Sequence, residues 1–118
     1  MVSSEIREKY FQLDTPTRLG SIAADLARIV SFAGFNDDKA VEGLMEESKY
    51  FIEWSAPDLL PDRVDDAARL VDIQRGLTHW HWIWNEAQTD ADQRRNLREQ
   101  AQAWSDEILK MSGLLDQE

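Results

Sequence analysis

The chain has 118 residues, the size of one ordinary domain, and we interpret residues 1–118 as a single folded unit. A hydrophobic fraction of 42% predicts a globular chain, and the absence of cysteine excludes disulfides, thiolate zinc sites and cysteine nucleophiles. The formal net charge of −10 argues against nucleic acid and anionic membranes as partners, because both attract clustered lysine and arginine.

Targeting signals are not evident in the sequence. Residues 1–5 contain no basic segment followed by an apolar run, and no window approaches 18 consecutive apolar residues. We therefore expect a cytoplasmic protein that neither enters nor binds a membrane.

The spacing of apolar residues predicts helices along almost the whole chain. Ser3 or Ser4 is expected to cap a short first helix that ends near Asp14. A second helix is expected to open with Thr15 as its N-cap and Pro16 at its first helical position.

The second helix is expected to end at a left-handed Gly34, with Phe35 folded back over the last turn. Asn36 or Asp37 then caps a third helix. The spacing places these apolar side chains of the third helix toward the core: Val41, Leu44, Met45, Phe51 and Ile52.

Two prolines bracket a break at residues 56–61, and a long helix is predicted over residues 62–88. The Thr89–Asp90 pair is expected to cap a last helix that ends or frays near Gly113. Every connection between the four main helices is short, which places consecutive helices side by side and antiparallel. The predicted fold is all-α, an up-down-up-down four-helix bundle with a short additional N-terminal helix.

The long helix carries two apolar stripes on nearly opposite sides. One consists of Val64, Ala67, Ala68, Val71 and Trp82, and the other of Leu70, Ile73, Leu77, Trp80 and Trp84. A bundle helix normally buries one stripe, so the second indicates either a doubly packed central helix or a surface for a partner. We expect the stripe of Leu70, Ile73, Leu77, Trp80 and Trp84 to face a partner chain.

The tryptophans at 80, 82 and 84 alternate with a period of two, as they would on one face of a strand. No other segment of the chain alternates in this way, so a strand here would have no pairing partner. We therefore predict a helix over residues 78–84.

Tyr50 and Trp54 lie four residues apart, on the side of the third helix away from its apolar stripe. We expect them to contact a second chain, the N-terminal segment of Ile6, Tyr10 and Phe11, or a partner protein. The alternative is that Trp54 only covers the proline-bracketed connection.

The spacing of Arg75 and His81 resembles the Arg-x(4–6)-His signature of HEPN-domain ribonucleases, which are helical bundles of about this size. The resemblance implies that Arg75 and His81 form an RNA-cleaving pair. The alternative is a surface ion pair between Asp72 and Arg75, with His79 at its rim.

Acidic residues on the third helix and the long helix resemble those of the all-α nucleotide pyrophosphohydrolases of the MazG type. Those enzymes hold magnesium with paired carboxylates on two facing helices. The resemblance implies a Mg²⁺ site formed by Glu42, Glu46, Asp65 and Asp72. The alternative is that the glutamates belong to a solvated helix face.

Motifs of the common enzyme classes are not found: the sequence has no phosphate-binding loop, serine-nucleophile elbow or His-Glu-x-x-His motif. We therefore expect a non-enzymatic protein that acts through protein–protein contacts as a homodimer, with no cofactor. The Mg²⁺-dependent hydrolase and the HEPN-like ribonuclease stay as alternatives.

Overall fold

Five α-helices make up most of the described chain, residues 3–116, in this computed structural model. They are α1 (Ser4–Phe11), α2 (Thr15–Gly34), α3 (Asp38–Ser55), α4 (Val64–Ala87) and α5 (Ala91–Ser112), with short 3₁₀ turns at Ala56–Leu59 and Leu114–Asp116. Within this part of the chain there is no strand, and the helix predicted over residues 78–84 is confirmed.

The four long helices form the predicted up-down-up-down bundle. Helix α2 packs against α3 and α5, and α4 closes the ring by packing against α3 and α5. The antiparallel order is visible in pairs such as Gln74 with Lys49 and Trp84 with Asp38, in which later residues of α4 meet earlier residues of α3. Three-residue connections at 35–37 and 88–90 leave no room for any other arrangement of consecutive helices.

The residues that cap the start and the end of α2 differ from those predicted. The N-cap is Asp14, whose carboxylate accepts the Thr17 N–H at 2.9 Å, so Thr15 is already helical. Gly34 is the last helical residue, and the left-handed conformation belongs to Asn36 (φ 59°). Asparagine tolerates this region because its short polar side chain bonds locally. Phe35 is exposed and does not fold back.

Other helix boundaries agree more closely with the sequence. Asp37 and Asp90 cap α3 and α5 by accepting backbone N–H groups, and Gly113 ends α5 in the left-handed conformation (φ 75°). Helix α4 begins at Val64, two residues later than predicted, because residues 60–63 continue the turn that precedes them.

The core contains the stripe of α4 that we predicted would face a partner, so that prediction is wrong. The residues concerned are all buried within the single chain: Leu70, Ile73, Leu77, Trp80 and Trp84. The two stripes of α4 have the same helical period, but this one carries the larger side chains. Large side chains fill the space between four helices, whereas a stripe rich in alanine and valine leaves voids there.

Helix α1 is held by aromatic packing against α3. The Tyr10 ring stacks on Phe51 with ring centroids 4.2 Å apart, and its hydroxyl is hydrogen-bonded to Ser55. Burial raises the pKa of the Tyr10 hydroxyl above its usual range. Trp54 contacts the rings of Tyr10 and Phe11, and Tyr50 contacts Trp54. Trp54 therefore makes the expected contact with the N-terminal segment, and Tyr50 packs against Trp54.

Gly76 allows α5 to approach α4 closely, and this contact supplies a stability test. A Cβ atom at Gly76 would lie 2.6 Å from two ring carbons of the buried Trp104, whereas one at Gly43 of α3 would meet nothing. We expect Gly76→Ala to lower the free energy of unfolding by about 1–2 kcal/mol through overpacking. We expect Gly43→Ala to raise it by about 0.5–1 kcal/mol through helix propensity. Urea unfolding measures both, and an equal gain from the two substitutions would contradict the close packing.

Candidate interaction surface

The outer face of α4 carries the other predicted apolar stripe, which the fold leaves only partly covered: Ala67 is buried and Val71 is half-buried against the core. Val64, Ala68, Val71 and Trp82 share this side because their spacings correspond to whole turns of a helix. Trp82 is 87% exposed and Val64 is 54% exposed, while α1 packs on α3 instead of covering them. The stripe extends about 27 Å along α4 at about 1.5 Å per residue.

A groove of about 480 Å³ lies at one end of the stripe, between the end of α3, the following 3₁₀ turn and the first half of α4. Its walls are almost entirely apolar and include Ile52, Ala56, Pro57, Leu60, Val64 and Val71. A volume of this size is typical of sites that accept a ligand or a large side chain. Leu60, 55% exposed at the edge of the groove, was missed by sequence reasoning because a residue in a turn follows no helical period.

Polar contacts border the other end of the stripe, where α3 and α4 meet. Lys49 Nζ lies 2.9 Å from His81 Nδ1, and His81 Nε2 lies 3.4 Å from Glu42 Oε1. An ammonium group only donates, so the Lys49 contact requires an unprotonated His81 Nδ1 and leaves the Nε2 proton toward Glu42. These contacts link the two helices beside Trp82.

The expected RNA-cleaving pair is not brought together. Arg75 is exposed and pairs with Asp72 at 3.6 Å, whereas His81 faces α3. Six residues at about 100° each place the two side chains on different sides of the helix. The surface ion pair between Asp72 and Arg75 is the arrangement present, and His79 is exposed near it.

The carboxylates of the expected Mg²⁺ site are also kept apart. Glu42 is level with His81 because the two side chains are in contact across the antiparallel helices. Asp72 and Asp65 precede His81 by nine and sixteen residues, which is about 14 and 24 Å along α4. Among residues 3–116 no group of three histidine, aspartate or glutamate side chains is arranged to hold a metal, so the prediction of Glu42, Glu46, Asp65 and Asp72 as one site is wrong.

Comparison with known proteins gives no relative: no family model, curated protein or solved structure matches the chain. Across the described residues 3–116, none of the helices is both long enough and apolar enough to pass through a bilayer.

Proposed function

We propose that this protein acts through protein–protein contacts, as a homodimer, and that the outer face of α4 is the contact surface. The observation that carries the proposal is the stripe of exposed Val64, Ala68 and Trp82 with half-buried Val71, beside an apolar groove. Exposed apolar patches rimmed by polar residues mark interaction sites in soluble proteins. Tryptophan is among the residues that contribute most to binding at such sites.

The polar surroundings of the stripe fit a protein partner. Glu53 borders the groove, Asp65 and Asp72 lie along the outer edge of α4, and Arg75 interrupts the stripe near its middle. Charged residues at the border of an apolar patch are usual in protein interfaces, and arginine is enriched within them. A homodimer is the simplest assembly for such a surface, since most soluble oligomers pair identical patches about a two-fold axis.

Light scattering at micromolar concentration tests the proposal. We expect a mass of twice the 13.7 kDa chain, because burial of the stripe removes apolar surface from water. We expect Ala68→Glu to yield a monomer, since it places a charge in the centre of the contact.

The matched control is Ala103→Glu, which adds the same charge at an exposed position of α5. This variant is expected to keep the mass of the native protein. A native mass near 13.7 kDa at every concentration would contradict the homodimer.

A further inference from the structure

The outer face of α4 carries both a protruding side chain and a recess that could receive it. Trp82 is 87% exposed and stands clear of the surface, while the 480 Å³ groove begins at Val64 on the same side of the same helix. The indole does not line the groove of its own chain, because the nearest groove residue on α4, Gln74, precedes Trp82 by eight residues, which is about 12 Å of helix. Within one chain, the Trp82 side chain stays exposed and the groove stays empty of side chains.

Resting on the proposed homodimer, we propose that Trp82 of each copy occupies the groove of the other. A two-fold axis perpendicular to α4 makes the two α4 helices antiparallel. If the axis passes near residue 73, midway between Val64 and Trp82, each indole lies over the groove of the second copy. The same contact then forms twice, which closes the assembly at two chains.

The charges near this axis favour the antiparallel arrangement. Arg75 is exposed and its contact with Asp72 of its own chain is long, at 3.6 Å. The antiparallel register sets Arg75 beside Asp72 of the second copy. The pair of Arg75 with Asp72 of the second copy forms twice about the axis, which offsets part of the repulsion between the acidic chains.

A second exposed aromatic side chain provides the competing arrangement. Phe35 is 81% exposed, but it lies in the connection between α2 and α3 rather than on the outer face of α4. Insertion of Phe35 into the groove would be a head-to-tail contact, which produces open chains of copies unless the rotation closes. The reciprocal contact of Trp82 requires no such closure.

Mixing two variants tests the reciprocity directly. Trp82→Ala removes both indoles of a dimer, and Ala68→Glu blocks both grooves, so each variant alone is expected to dissociate about 1000-fold more readily than the native protein. An equimolar mixture restores one intact contact, because the Ala68→Glu chain supplies an indole and the Trp82→Ala chain supplies a groove. We expect the mixed dimer to dissociate only about 30-fold more readily than the native dimer.

Sedimentation equilibrium of each variant and of the mixture measures these constants, and Phe35→Ala is the matched control for loss of an exposed aromatic. Phe35→Ala is expected to leave the dimer unchanged, and circular dichroism is expected to be native in every case because all three positions are exposed. A native dimer that Trp82→Ala does not weaken would overturn the inference while leaving the homodimer intact. A mixture no stronger than its components would overturn the antiparallel exchange, and a monomeric native protein would overturn the homodimer as well.

Discussion

Replacing Trp84 with alanine is expected to lower the free energy of unfolding by about 3–5 kcal/mol, whereas Trp82→Ala is expected to change it by less than about 0.5 kcal/mol. The two residues are only two positions apart in the sequence, but one is buried and the other is exposed. Trp84 is 1% exposed, and its indole N–H donates to the Asp38 backbone oxygen at 3.2 Å. Trp82 is 87% exposed and contributes little to the core.

Loss of Trp84 combines two penalties. Removal of a buried indole forfeits its transfer free energy and leaves a cavity that a packed core fills only partly. The Arg94 guanidinium, which lies 5.3 Å from the centre of the Trp84 ring, loses its aromatic partner as well. Neither effect applies to Trp82, whose removal exposes no buried group.

Urea unfolding followed by far-ultraviolet circular dichroism measures both substitutions. The protein concentration must lie well below the dissociation constant of any dimer, because association adds to the apparent stability. Equal losses of stability from Trp84→Ala and Trp82→Ala would contradict the assignment of the two faces of α4.

The helices and their order followed from the sequence because their causes are local. Aspartates at positions 37 and 90 cap helices through their own side chains, and short connections force neighbouring helices to run antiparallel. Boundaries were misplaced where two suitable residues stood side by side. Asp14 and Thr15 are both acceptable N-caps, and the backbone geometry selects Asp14.

The periodicity of apolar residues could not predict which face of α4 points toward the core. Its two stripes have the same period, and the property that distinguishes them is not charge but size, with leucine, isoleucine and tryptophan at positions 70, 73, 77, 80 and 84. A comparison of side-chain volumes would have favoured this stripe for the core. The groove could not be predicted from the sequence, because Ile52, Pro57 and Leu60 come next to Val64 only through the packing of α3 against α4.

A second large effect is expected at Asp25, which is buried between α2 and α3. Burial, together with the neighbouring carboxyl group of Glu47, raises the pKa of Asp25 from its usual 3.8 to about 8, although Arg28 acts in the opposite direction. Arg28 donates to Asp25 Oδ1 at 2.9 Å, while Oδ2 has no hydrogen-bond donor among the described residues. Burial and the nearby charge of Glu47 both disfavour the ionised form of Asp25, so the folded protein holds a proton on this carboxyl group at neutral pH.

The proton makes stability depend on pH with a definite sign. Between pH 4 and pH 8 the folded state binds a proton at Asp25 that the unfolded chain releases, so the contribution of this group falls as the pH rises. It is fully present below pH 4 and lost by the time the pH passes about 8. The difference in pKa sets an upper limit of about 5–6 kcal/mol, which local hydration of the ionised group reduces to about 2–4 kcal/mol.

Asp25→Asn is expected to abolish this pH dependence, because an amide is uncharged at every pH and still accepts from Arg28. The variant should match the native protein in urea unfolding at about pH 5 and exceed its stability by about 2–4 kcal/mol at about pH 8.5. Asp62→Asn, which removes the same charge at an exposed position, controls for net charge and is expected to shift both values equally and slightly. A difference between native and Asp25→Asn that is the same at both pH values would mean that Asp25 is already ionised in the fold, with Arg28 rather than a proton compensating its charge.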